Sequence, residues 1–106
     1  MEGRHYYWVI TDDHFDDPHG DISLIGTRGG SSTDLTPEQI SGHPDAVAFR
    51  MRDELGQVLF KGYYLGNLRD EEAKAEPLEL FGQQHGQCTQ ISYLGLDGRW
   101  EVLTWN

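Results

Sequence analysis

The sequence is poor in cysteine, in basic side chains and in long apolar runs, and each shortage excludes something. Its one cysteine, Cys88, excludes an intramolecular disulfide. Uncharged apolar runs such as Tyr6 to Thr11 are far shorter than the roughly 20 residues that cross a bilayer. The first residues lack the basic opening and apolar core of a signal peptide. We therefore expect a cytoplasmic protein with no membrane contact.

Basic side chains are outnumbered, with eight Lys and Arg against 18 Asp and Glu and a formal net charge of −10. Residues 1–45 carry nine acidic and two basic side chains, so the excess of negative charge is larger there than in the rest of the chain. Such a field disfavours direct binding of nucleic acid, because phosphate contacts need a positive surface. It favours a basic protein partner, for instance one that itself binds nucleic acid. In the other interpretation, the acidity only keeps a small domain soluble.

Apolar alternation and turn residues predict strands over most of the chain. The segment His5 to Thr11 is apolar on both faces, which is typical of a central strand. A short strand is predicted over 21–27, followed by a loop over 28–34. The run Thr36-Pro37-Glu38-Gln39 forms a capping box with proline at the first helical position, and it predicts a short helix.

A hairpin is predicted in the middle of the chain, between Ala46–Asp53 and Gln57–Leu65. Its three-residue loop places Gly56 in the left-handed position of a bulge. In that register Met51 lies opposite Leu59.

The last hairpin has the clearest turn signal, Asp97-Gly98, which predicts a two-residue turn. Pairing across such a turn sets Tyr93 opposite Val102. It also places the Trp100 ring over Gly95, where the aromatic side chain covers bare backbone.

The segment 68–76 is charged and rich in helix formers, so we expect an exposed helix or a mobile loop that ends at Pro77. Hairpins dominate and strands do not alternate regularly with helices. The pattern therefore predicts a small α+β fold, a single domain over residues 1–106. We expect a twisted antiparallel sheet of about five strands and one or two short helices.

The densest group of metal-ligating side chains lies between Asp12 and Asp21, with five carboxylates and two imidazoles in ten residues. His14, His19, Asp16 and Asp17 are the candidate ligands. The spacing matches neither a calcium-binding loop nor the paired histidines of zinc hydrolases. Because Pro18 and Gly20 favour a turn, a solvated acidic loop is the alternative interpretation.

A second loop, 26–33, is rich in glycine and hydroxyl side chains and has the composition of a phosphate-binding loop. It lacks the Gly-Lys-Ser/Thr ending of nucleotide-binding loops, which favours a flexible connection. Cys88 has no partner at a spacing typical of a nucleophile, so we expect a small buried side chain.

Several segments together resemble a group of small bacterial proteins without an assigned function. The resemblance is carried by 7–14, the glycine-rich stretch ending near Thr33, 43–45, 49–53, 80–82 and 88–91. It implies a compact cytoplasmic single domain. No catalytic motif forms part of it, so it implies no activity.

These observations favour a non-enzymatic, cofactor-free protein-binding module with an acidic surface beside exposed aromatic rings. In its most concrete form it is an inhibitor that imitates nucleic-acid charge and occupies the basic groove of a nuclease or CRISPR-type effector. The expected partner-binding residues are Asp12, Asp13, Asp16, Asp17 and Asp21 in one patch and Asp70, Glu71, Glu72 and Glu76 in another. The alternatives are a metal-binding protein or metal-dependent enzyme that uses loop 12–21, and a structural or regulatory domain.

Overall fold

The computed structural model describes residues 6–13, 25–31, 34–95 and 97–104, and within these the chain forms one antiparallel sheet with helices. The strands are β1 (Tyr7–Asp13), β2 (Arg28–Gly30), β3 (Val47–Arg52), β4 (Val58–Leu65), β5 (Gln90–Leu94) and β6 (Trp100–Thr104). Their order in the sheet is β2-β1-β4-β3-β5-β6. The predicted α+β class and antiparallel sheet are confirmed, while the described residues form six strands rather than about five.

The additional strand is β2, which falls in a segment that we expected to be a loop. It pairs with β1, and Gly29 lies opposite Trp8. A Cβ atom on Gly29 would lie 2.4 Å from a carbon of the Trp8 ring, so only glycine leaves room for this contact. The strand predicted over 21–27 is not formed at 25–27, and 21–24 lie outside the described residues.

The middle hairpin forms as predicted, with Gly56 in the left-handed region at φ 84°. Its register differs by one residue, because Met51 pairs with Phe60 and the next residue, Arg52, pairs with Val58. Leu59 is therefore an extra residue, which makes a β-bulge. A shift of one residue exchanges the two faces of a strand, and the prediction that Met51 lies opposite Leu59 was wrong for this reason.

The last hairpin also pairs one residue away from the prediction, with Tyr93 opposite Glu101 and Leu94 opposite Trp100. The Gly95 amide donates to the Arg99 carbonyl, which leaves three residues in the loop instead of two. Gly98 takes the left-handed position at φ 82°. Trp100 therefore does not lie opposite Gly95.

The helices are α1 (Pro37–Ser41), α2 (Glu71–Pro77) and α3 (Gln83–Gly86), with a π-helical turn at Leu78–Gly82 between the last two. The capping box predicted for α1 is present. Pro77 does not end the helical segment, which continues directly into the π-helical turn. No helix in the described part of the chain has the length and apolar character needed to cross a membrane.

The main core lies between one face of the sheet and the layer formed by α2, the π-helical turn and α3. Phe81, which is 1% exposed, makes edge-on contacts with Trp8 and Phe60 at centroid distances of 6.2 and 4.8 Å. Cys88 is 2% exposed, and burial raises the pKa of its thiol to about 12. This confirms the expected buried side chain.

The short helix α1 packs on the opposite face of the sheet, against β1 and β4, and buries Ile40. Within the described residues, no helix covers the part of this face that belongs to β5 and β6, and Val102 is 53% exposed there. The sheet is thus covered by helices on one face and partly open on the other.

Replacing Phe81 tests how strongly the helical layer is held on the sheet. We expect Phe81→Ala to lower the free energy of unfolding by about 3–5 kcal/mol, because it removes a buried ring and leaves a cavity. Leu80→Ala, the adjacent and 54% exposed position, is expected to cost about 1 kcal/mol or less. Urea unfolding followed by circular dichroism measures both, and equal losses would contradict the packing described here.

Candidate binding groove

The helical layer and the start of β1 enclose a groove of about 340 Å³ with an acidic wall. Its lining residues are Tyr6, Asp70, Glu72, Ala73, Glu76, Glu79 and Leu80. We call this the acidic groove.

Helical spacing brings the carboxylates of the groove together. Glu72, Glu76 and Leu80 follow one another at intervals of four residues, and Glu79 follows Glu76 at an interval of three. Side chains at these intervals lie on one side of a helix. Because the helical segment continues past Pro77 into the π-helical turn, the acidic row extends from α2 to Glu79.

Glu76 connects the helical layer to the first strand. The Tyr6 hydroxyl donates a hydrogen bond to Glu76 Oε2, and Trp8 Nε1 donates to Glu76 Oε1 at 3.0 Å. Glu76 is half-buried, so these two bonds hold its carboxylate in a fixed place in the groove. Each carboxylate oxygen can accept more than one hydrogen bond, and Glu76 keeps acceptor capacity for a ligand.

Asp70 also has a structural role. Its side chain caps α2 by accepting a hydrogen bond from the Ala73 amide at 3.2 Å. A carboxylate at this end of a helix is stabilised by the helix dipole. The other two carboxylates of the groove differ in exposure, since Glu72 is exposed and Glu79 is half-buried.

The carboxylates make the electrostatic potential in the groove negative, and this potential affects the pKa of Tyr6. The hydrogen bond to Glu76, burial, and the charges of Glu76 and Asp70 together raise the pKa of Tyr6 to about 12. No Lys or Arg is among the described residues that line the groove. Glu72 and Glu76 are like charges four residues apart, an arrangement that destabilises a helix slightly and is relieved when a cation binds.

The structure brings together three of the four residues of the second predicted patch, namely Asp70, Glu72 and Glu76. Glu71 is exposed on α2 and does not line the groove. Sequence analysis missed Tyr6, Glu79 and Leu80. Glu79 follows Glu76 at helical spacing in the sequence. Because the helix was expected to end at Pro77, the two residues were not placed on the same helical face.

Most of the first predicted patch falls outside the described residues. Asp12 is exposed on β1, and Asp13 belongs to β1 with a side chain that is not described. Asp16, Asp17 and Asp21 lie outside the described residues, as do His14 and His19. In the described part of the chain, no group of three or more His, Cys, Asp or Glu side chains has the geometry to hold a metal ion.

Comparison with known proteins gave no match, whether to a family model, a curated protein or a solved structure.

Neutralising Glu76 tests the origin of the Tyr6 pKa. We expect the pKa of Tyr6 to fall from about 12 towards the usual 10.0 in Glu76→Gln, because the charge that opposes phenolate formation is lost. A tyrosine whose pKa is raised by folding stabilises the fold below its unfolded-state pKa, and that contribution is lost as the pH rises from 10 to 12. The variant should therefore lose less stability over this interval.

Carbon-13 NMR of labelled tyrosine, with Tyr6→Phe to assign the signal, measures this pKa. A Tyr6 titration that stays near 12 in Glu76→Gln would show that burial, and not the carboxylate, raises it.

Proposed function

We propose that the protein is a non-enzymatic binding module whose acidic groove receives a basic segment of a partner protein. The observation that carries the proposal is the convergence of four carboxylates on one groove whose described lining holds no basic side chain. Glu72 and Glu79 have no basic side chain beside them in the described lining, and a cationic partner supplies one.

The groove also offers apolar contacts suited to lysine and arginine side chains. Leu80 is 54% exposed at its edge, and the Tyr6 ring forms part of the wall. A lysine or arginine can lay its methylene stem on these groups while its charged head reaches Glu72 or Glu79. Arginine has the further advantage that its planar head binds a carboxylate through two parallel hydrogen bonds.

The groove is in part preorganised for such a ligand. Glu76 is held by Tyr6 and Trp8, and Asp70 is held by the first turn of α2. Binding then orders few additional side chains on this protein, and the entropic cost of association is correspondingly small.

The partner that we favour is a protein that handles nucleic acid. Carboxylates on successive helical turns lie about 5–6 Å apart, which makes a row of negative charge like that of a phosphate backbone. In this finer form of the proposal, the acidic groove competes with nucleic acid for the basic groove of a nuclease or CRISPR-type effector.

Removing two groove charges tests the proposal with a defined cationic probe. We expect the double variant Glu72→Gln/Glu79→Gln to bind a fluorescein-labelled nona-arginine peptide about fivefold or more weakly than the unmodified protein, because two ion pairs are lost. Fluorescence anisotropy at about 50 and 150 mM salt measures the affinity, which should weaken with salt.

The matched control is Glu38→Gln/Glu54→Gln, which removes the same charge at two exposed positions outside the groove. We expect this pair to change the affinity by less than about twofold. Equal weakening in both double variants would contradict the proposal, since net charge and not the groove would then explain binding.

A further inference from the structure

The open face of the sheet carries two arginines on β3 that point away from the core. Arg50 and Arg52 alternate with the buried Phe49 and Met51, so both lie on the face opposite the helical layer. On the neighbouring β5, Ser92 pairs with Arg50. The three side chains are therefore neighbours on one surface.

Three polar atoms of this group are buried and have no hydrogen-bond partner in the described part of the chain. They are Nε of Arg50, Nε of Arg52 and Oγ of Ser92. Ser92 is 1% exposed, although no described helix covers this part of the sheet. Buried polar groups are almost always hydrogen-bonded, so three such groups side by side call for a partner such as water, an ion or a bound ligand.

Among the described residues, the two arginines of this group also have no ion-pair partner. Neither guanidinium lies within 4.0 Å of a described carboxylate. Burial, and next the neighbouring charge of Arg52, lower the pKa of Arg50. Lys61 shares this face but lies opposite Asp12 on β1, and we do not include Lys61 in the group.

Trp100 orients one of the two arginines. The Arg50 guanidinium carbon lies 4.1 Å from the centroid of the Trp100 ring, a cation–π contact that occupies the flat side of the guanidinium. The donors of a guanidinium lie along its edge, so this contact leaves the terminal amino groups of Arg50, which are not among the three buried atoms, available to an anion.

We propose that Arg50, Arg52 and Ser92 form a binding site for a phosphate group. Two guanidiniums suit a phosphate dianion better than a carboxylate. A carboxylate carries one negative charge and is matched by the paired N–H donors of a single guanidinium. The Ser92 hydroxyl supplies a further donor. This site lies on the opposite side of the sheet from the acidic groove and does not depend on the proposed function.

The phosphate group has two sources that the surroundings can accommodate. One is free inorganic phosphate. The other is a mononucleotide, whose base would lie on the exposed side chain of Val102 next to Trp100. In contrast, the glycine-rich segment that we considered as a phosphate loop contributes a strand, and Arg28 there donates to the Leu35 carbonyl.

Calorimetric titration of the purified protein with inorganic phosphate, at constant ionic strength, tests the site. We expect saturable binding that weakens at least tenfold in Arg50→Lys/Arg52→Lys, which keeps both charges and removes both Nε donors. The control Arg69→Lys/Arg99→Lys alters two exposed arginines elsewhere and should change the affinity less than twofold. Absence of binding, or equal weakening in both pairs, would overturn the proposal.

Ser92→Ala separates a binding role from a structural one. Without phosphate we expect an unchanged or higher melting temperature, because the variant removes a buried hydroxyl that has no partner. With phosphate we expect a smaller rise in melting temperature than in the unmodified protein. A lower melting temperature together with unchanged phosphate affinity would count against the site.

A parallel titration with adenosine monophosphate distinguishes the two sources. Tighter binding than inorganic phosphate, lost in Val102→Ser, supports the site with a mononucleotide as its ligand. Equal affinity for both probes supports the site with free phosphate as its ligand. Binding of neither probe overturns the proposal.

Discussion

The packing of Phe81 against the sheet is the contact on which the rest of the structure depends. Helix α2 brings mainly small side chains, Ala73 and Ala75, to the sheet, so it cannot hold the helical layer in place alone. Phe81 supplies the large ring that contacts Trp8 and Phe60. Once this ring is seated, the preceding turn of helix lies next to the start of β1, and Glu76 reaches Tyr6 and Trp8. The acidic groove is a consequence of that position.

The net charge of −10 conceals a separation of charge across the sheet. Carboxylates line the groove on the helical side, while Arg50 and Arg52 lie on the open face beyond the buried core. The sheet and the core separate the two groups too far for ion pairs between them, so we expect each to attract a ligand of the opposite sign. A single net charge therefore describes neither surface.

Local signals were predicted well because their physics lies within a few residues. The capping box at Thr36 depends on two side chains of one helical turn. The left-handed conformation of Gly56 depends on one backbone dihedral angle. Both hairpin registers were wrong by one residue, since a β-bulge at Leu59 and a three-residue loop before Arg99 depend on packing. A shift of one residue moves a side chain to the other face. The register therefore decided that Lys61 shares a face with Arg50.

The sequence by itself determined the class of fold, the absence of an intramolecular disulfide and the excess of acidic side chains, because composition and short-range periodicity carry these properties. The acidic groove required tertiary structure, since Tyr6 and Glu76 are 70 residues apart in the chain. The continuation of the helix beyond Pro77 also required it, because burial of Leu78 and Phe81 outweighs the missing backbone hydrogen bond. The group of Arg50, Arg52 and Ser92 arises in the same way, from the pairing of strands whose partners no local pattern identifies.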